Sequence, residues 1–438
     1  MSARAGVEVV NFGCRLNIAE GEAVRAAAIA AGAADTIVFN SCAVTDEAVR
    51  QARQAVRRAL RERPGAEVVV TGCAAELERS AFEAMGARVV GNDAKGLAES
   101  YQASVSPRRR GPISGRFDIA PAGDGLPPPR EHTDLFKAVG PYAPALSGAD
   151  HARAFLGVQT GCSHSCTFCA TVLARGAARS ATVEAVVEAA RIALDRGQRE
   201  IVLTGVDLAS YGDDSGTSLA ALVEALLALP VERLRLSSLD PDRIDDALFA
   251  LLTGEARVMP HVHLSLQAGD DMILTRMKRR HRRTDAVRLV ERLKAARGEI
   301  AIGADLIAGF PTEDDTMFAN TLALIDDADI VFGHIFPYSP RAGTAAARMP
   351  QVGRAAARER AARLREANAR RRHRWMDAQR GRETAMLVER DGRSGHAENF
   401  APLTLAAPAA PNSIVRVRID ARDDDRMHAT MVATGIAA

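Results

Sequence analysis

Residues 157–180 read GVQTGCSHSCTFCATVLARGAARS, with Cys162, Cys166 and Cys169 in the spacing C-x3-C-x2-C. Metal centres held by cysteine usually take four protein ligands. Three in one short loop leave a coordination position open, which marks a working rather than a structural site. His164 offers zinc a fourth ligand, but its place inside the same tight loop fits poorly. The loop directly follows FLGVQT, residues 155–160, a run that reads as a strand.

Downstream, five more strand-like runs follow: REIVLTG, RLRLSSL, HVHLSLQ, IAIGADLIAG and IVFGHIFPYS. Between them lie VEAVVEAARIALDRG, SLAALVEALLALP, IDDALFALLTG, TDAVRLVERLKAARG and DTMFANTLALIDDA, all with helical periodicity. Six βα units predict an incomplete barrel of parallel strands, with its site at the carboxyl ends. The cysteine loop falls at that mouth.

Upstream the pattern also alternates. Val7–Phe12, Thr36–Asn40 and Glu67–Val70 read as strands, with a helix from about Ala19 and another capped by Thr45. Parallel pairing follows from βαβαβ. Cys14, Cys42 and Cys73 each follow one of these strands. Three cysteines far apart in sequence therefore meet at one sheet edge, where open α/β sheets bind ligands. Three small buried hydrophobes would not repeat that position.

From Gly86 to Pro144 proline and glycine accumulate, as a connection between domains does. Residues 351–380 hold ten arginines against Glu359, Glu366 and Asp377, and a second basic run spans Met277–Arg283. Set against a net charge of +2, such patches suggest a local polyanion site. TAMLVER, SIVRVRI and HATMVAT then predict a small β-barrel. The expected fold class is α/β, with domains at 1–135, 148–378 and 379–438. The start lacks a signal-peptide core, and no run of eighteen apolar residues crosses a membrane. A cytoplasmic protein is expected, in which six cysteines serve metal or redox chemistry rather than disulfides.

CSHSCTFC after the first strand of a partial barrel resembles the signature of the radical S-adenosylmethionine superfamily. There the open iron of a [4Fe-4S] cluster is chelated by S-adenosylmethionine, which is cleaved to a 5′-deoxyadenosyl radical. NFGCRLN, NSCAVTDEA and VTGCAAE are similar to the methylthiotransferase branch, in which such cysteines hold a second [4Fe-4S] cluster. LTGVDLASYG, RLSSLDPD, LSLQAGDD, ADLIAGFPTE and YSPRAGT resemble that branch's motifs in order, and GHAENFAPL resembles its RNA-binding TRAM barrel. GCRLN looks most like the bacterial enzymes acting on N6-threonylcarbamoyladenosine at position 37 of tRNA. The chain departs in ATVLARGAARS, which lacks a proline after Cys169, and in Asp240, where glutamate is more usual.

The resemblance implies that Cys162, Cys166 and Cys169 hold the radical cluster, and Cys14, Cys42 and Cys73 the sulfur-carrying one. It implies cofactor contacts at Thr204, Gly205, Asp207, Ser237, Ser238 and Gln267; Phe168 either shields the cluster or is ordinary packing. Partners would be the tRNA anticodon arm, held by the C-terminal barrel and by arginines of 351–380 such as Arg370, Arg371 and Arg372, and an electron donor such as flavodoxin or ferredoxin. The implied reaction is methylthiolation of carbon 2 of the adenine. Alternatives are action on isopentenyladenosine or a ribosomal-protein aspartate, and, in another class, a non-catalytic RNA-binding iron–sulfur protein.

Overall fold

The computed structural model describes residues 6–102, 142–149 and 151–432. The expected boundary at residue 135, and most of the proline-rich connection, lie outside the described residues.

The N-terminal sheet is parallel throughout, in the order Val7–Asn11, Thr36–Ser41, Glu67–Gly72, Arg88–Val89. Thr36–Ser41 is buried along its whole length, the position of a strand covered on both faces. The helix Asp46–Glu62 begins as expected, its Thr45 cap accepting from the Ala48 amide at 3.1 Å. The helix before it differs from expectation: it runs Arg15–Ala30 and so starts directly behind Cys14. No side chain caps it. Tertiary contacts hold its first turn in place: Asn17 Nδ2 donates to the carbonyls of Phe12 at 2.7 Å and Ser41 at 3.3 Å.

All six expected central strands form, at Arg153–Gly157, Glu200–Thr204, Arg233–Leu236, His261–Gln267, Ala301–Ala308 and Ile330–Pro337. They pair in parallel as two groups of three. Bridges Leu234–Val258 and Leu239–Leu264 join the groups into one incomplete barrel. Crossover helices start on Thr182, Ser218, Asp245 and Asp314, each side chain accepting a backbone N–H of the first turn. Alternate strand residues such as Leu156, Ile201 and Leu203 pack with these helices. Phe155 and Val202 point the other way and pack on Ala19 of the first N-terminal helix. That helix therefore lies against the inner face of the partial barrel.

The helix Arg354–Asp377 leads into a closed five-strand barrel of Glu383–Val388, Ser394–Ala397, Pro402–Leu405, Ile414–Arg422 and Met427–Met431. The second and third of these strands bury every second residue but are only four residues long, too short to stand out in sequence; barrel closure supplies their pairing. Ala301, Val331, Trp375 and Met376 share a core with this barrel, fixing it to the start of the last central strands.

Of the three arginines expected to meet phosphate, Arg371 and Arg372 are engaged with other elements of the fold, and Arg370 stays on the surface. Arg371 pairs with Asp329, Arg370 with Glu366 at 2.6 Å, and Arg372 donates to the Asp425 carbonyl over the Phe332 ring. In the second basic run, Arg279 and His281 turn inward and Arg283 pairs with Asp327. Much of this basic charge fastens the fold, because a guanidinium on a helix packed against acidic neighbours finds them before it finds solvent. Among the described residues no helix is long and apolar enough to cross a membrane.

Candidate active site with two cysteine triplets

Cys14, Cys42 and Cys73 stand at the carboxyl ends of the first three strands, as their spacing predicts. Two glycines set their approach. Gly13 has φ +94°, and a Cβ there would lie 2.3 Å from Cys42 Cβ, so only glycine lets Cys14 follow a strand end that close to Cys42. Gly161, before Cys162, has φ +68°, and its Cβ would meet the Ala177 carbonyl oxygen at 1.9 Å. The Cys162 amide also donates to the Gly176 carbonyl at 3.1 Å. The loop is thereby pinned against the segment that follows it.

Each sulfur of the second triplet has a polar neighbour. The His164 amide donates to Cys162 Sγ at 3.4 Å and the Thr171 amide to Cys169 Sγ at 3.4 Å. Arg279 Nη1 donates to Cys166 Sγ at 3.6 Å while its Nη2 holds Asp240 at 2.8 Å. Such donors are the groups that stabilise and tune cluster sulfurs. Burial raises the Cys14, Cys162 and Cys169 thiols and pushes Cys42 up to about 11. Metal binding here must displace protons.

Neither triplet is crowded enough for one ion. Among the described residues, three ligand atoms converge within 4.8 Å only at His263, Asp305 and His334. A tetrahedral zinc needs its sulfurs about 3.8 Å apart, whereas a four-iron cluster spreads its cysteines over separate irons. His164 Nε2 lies 3.1 Å from Asp207, in keeping with its poor fit as a fourth zinc ligand. The donor sets fit [4Fe-4S] clusters.

The structure places the other expected residues at strand ends around the same mouth. Thr204 is buried, and its carbonyl accepts from the Val158 amide at 2.9 Å. Gly205 packs on Gln159, whose Oε1 would lie 2.9 Å from an added Cβ and accepts from the amides of Val206 and Asp207. Asp207 lies 3.6 Å from Cys162 Sγ and also binds His164 and Ser210. Burial opposes its ionisation, but the hydrogen bonds from His164 and Ser210 outweigh it and lower its pKa. Ser237 is buried and Ser238 half-buried. Gln267 adopts φ +67° at the end of its strand, a conformation uncommon outside glycine and enriched at working sites. Phe168 packs edge-on to Phe310, with ring centres 6.3 Å apart.

Sequence reading missed how the two triplets are joined. Arg175 follows Cys169 on the helix Thr171–Arg175, yet its Nε donates to Cys73 Sγ at 3.1 Å. Its other nitrogens reach Glu20 at 2.8 and 2.9 Å, Asn17 at 3.0 Å and Thr160 at 3.1 Å. Lys95 closes the same buried network through Glu20 at 2.6 Å. It also missed a polar lumen. Glu200, Arg235, His263 and Asp305 sit inside strands that otherwise read as apolar. Charges at period two in buried parallel strands were the available signal.

Residues 156–325 match the radical SAM superfamily model, and residues 6–91 match uncharacterized protein family UPF0004. The threonylcarbamoyladenosine tRNA methylthiotransferase MtaB of Rickettsia prowazekii is 37% identical over 432 residues, covering 97% of each chain. That of Aquifex aeolicus is 32% identical, covering 93% of this chain and 98% of its own. The tRNA-2-methylthio-N(6)-dimethylallyladenosine synthase of Erythrobacter litoralis is 30% identical, covering 88% and 86%. Among solved structures, the radical S-adenosylmethionine methyltransferase TsrM of Kitasatospora setae superposes with a TM-score of 0.53 at 16% identity, covering 76% of this chain and 74% of its own. That last likeness concerns the fold alone. Joined to two cysteine triplets linked through Arg175, the full-length similarity settles that the chain belongs to the radical S-adenosylmethionine methylthiotransferase family.

Proposed function

We propose that this enzyme methylthiolates carbon 2 of N6-threonylcarbamoyladenosine at position 37 of tRNA, using one [4Fe-4S] cluster on Cys162, Cys166 and Cys169 and a second on Cys14, Cys42 and Cys73. The observation that carries it is the Arg175–Cys73 bond, which couples the loop of one triplet to a ligand of the other. Hydrogen abstraction and sulfur delivery must address the same carbon, so two sites held in fixed relation are what the reaction needs.

Bound S-adenosylmethionine and the clusters supply radical abstraction and a methylated sulfur, which an aromatic C–H without an acidic proton requires. The chain's own part is positional. Asp207 and His164 brace the radical-site loop from one side and Arg279 with Asp240 from the other. Thr204, Gly205, Asp207, Ser237, Ser238 and Gln267 are the proposed cofactor contacts. Arg416 and Arg418, both exposed on one face of the strand Ile414–Arg422, are the proposed phosphate contacts for the anticodon arm. They are preferred to Arg371 and Arg372, which are half-buried and held by other elements, while exposed Arg370 stays a candidate beside them. An electron must come from a reductant such as flavodoxin or ferredoxin.

Support for the base comes from the relatives that are named for it. A similar relative is named for dimethylallyladenosine, which keeps that base as the second reading. Nucleoside mass spectrometry of tRNA from a deletion strain decides. Loss of the 2-methylthio form with build-up of N6-threonylcarbamoyladenosine is expected. Loss of the methylthiolated isopentenyl nucleoside instead would overturn the assignment.

A further inference from the structure

Three neighbouring carboxylates, Glu200 and Asp305 in the central strands and Glu389 just past the strand Glu383–Val388, are each already engaged. Glu200 pairs with Arg233 and Arg235, both at 2.8 Å. Asp305 lies between His263 at 3.1 Å and His334 at 3.3 Å, both rings addressing the same oxygen. Glu389 faces Arg153 at 3.1 Å and His396 at 3.6 Å.

One cation is left over. Arg15, the first residue of the helix behind Cys14, is half-buried, with its guanidinium carbon 5.4 Å from the centre of the Phe400 ring. Among the described residues it makes no hydrogen bond and no ion pair; Glu200 and Asp305 act on it only at longer range. Phe400 has φ +68°, and its ring is wedged between His261 at 4.8 Å and His396 at 4.7 Å. A non-glycine residue held in that conformation is over-determined by its surroundings. Its ring is a rigid platform under the guanidinium, positioning it without using any of its donors. Arg15 keeps part of its surface exposed, so a ligand can reach it.

A guanidinium with five free donors, partly removed from water and lacking a counter-charge, is a receptor for a planar anion. Isopentenyl carries no such group, whereas threonylcarbamoyl ends in a carboxylate. We propose that Arg15 receives the carboxylate of the substrate's threonylcarbamoyl group and so sets which modified adenine the enzyme accepts. This rests on the substrate reading above. It places the residue that reads the base modification next to a ligand of the sulfur-carrying site, so that only the matching side chain brings the ring to the sulfur.

The test is equilibrium binding of two anticodon stem-loops to the reconstituted enzyme. One carries N6-threonylcarbamoyladenosine; in the other the threonine carboxylate is a neutral carboxamide. Wild type should prefer the first by about 10- to 100-fold, the range of a hydrogen-bonded charged pair. In Arg15→Gln the ratio should fall to near one, through weaker binding of the carboxylate form alone. Arg15→Lys, which keeps charge without the fork, should retain part of the preference; it decides the matter should Arg15→Gln fail to load iron. A wild-type ratio near one, or full preference in Arg15→Gln, overturns the assignment of Arg15. If wild type methylthiolates isopentenyladenosine RNA and not threonylcarbamoyladenosine RNA, the substrate reading itself fails.

Discussion

Arg175 Nε lies 3.1 Å from Cys73 Sγ, although 102 residues and a domain connection separate them in the chain. Its remaining donors are all taken by Glu20, Asn17 and Thr160. Replacing it by alanine removes one partner of a buried ion network and leaves Glu20 facing Lys95 alone. A loss of about 3–5 kcal/mol in unfolding free energy is expected. Arg175→Lys should recover part of that loss but not the Cys73 hydrogen bond. If denaturant melts of both variants match wild type, the bond is not holding the two sites together.

Glu20 provides a pH signature of the same docking. Burial raises its pKa, but Arg175 and Lys95 outweigh burial and hold it at about 2 against an ordinary 4.5. The unfolded chain therefore binds a proton between pH 4.5 and 2 that the folded chain refuses. The stabilisation is fully present above pH 4.5 and disappears as pH falls toward 2. Thermal melts of the metal-free chain should show Glu20→Gln less stable than wild type at pH 6, the gap narrowing by pH 3. A gap that stays constant would mean Glu20 is not ionised in the folded protein.

The cysteine triplets should separate by substitution. Anaerobically reconstituted wild type should hold about eight irons per chain, and either Cys42→Ala or Cys166→Ala about four. Cys166→Ala should abolish 5′-deoxyadenosine formation. Cys42→Ala should keep some of it yet give no methylthiolated product. Zinc in place of iron, or about four irons in wild type, would show that only one triplet carries a cluster.

Gly161→Ala tests the pinned loop. The left-handed backbone alone costs about 1–3 kcal/mol for a non-glycine residue, and a Cβ there meets the Ala177 oxygen at 1.9 Å. The loop must shift, and iron at the adjacent triplet should fall with little change at the other. Glycine-to-alanine at Gly32, which also has φ +73° but has nothing within 4 Å of an added Cβ, separates strain from collision.

RNA binding should depend on the outer face of the C-terminal barrel. Arg416 and Arg418 are 61% and 59% exposed and make only surface ion pairs, which contribute little and release readily to phosphate. Reversing both to glutamate should weaken tRNA binding and lower the salt slope by about 1 for each phosphate no longer neutralised. Arg371→Glu should act differently, destabilising the fold by breaking its pairing with Asp329. Unchanged tRNA affinity and slope in the double variant would move the RNA surface elsewhere.

Periodicity alone was enough for the six central strands and the first three of the N-terminal sheet, because apolar runs of strand length separated by helical stretches allow few other topologies; the fourth, Arg88–Val89, fell in the stretch read as a connection. The positions of all six cysteines at carboxyl strand ends followed from that topology, since parallel strands bring every such end to one edge. What sequence could not supply was the relation between distant segments. The first N-terminal helix looks like an ordinary crossover, yet Ala19 packs against Phe155 and Val202 inside the second domain. Arg371 and Arg372 look like a phosphate-binding patch until folding brings Asp329 and Asp425 beside them. Arg15 looks like one arginine among many, and only the tertiary structure leaves it without a counter-charge. Local propensity is written in neighbours along the chain, whereas a charge's role depends on which groups folding places within a few ångströms of it.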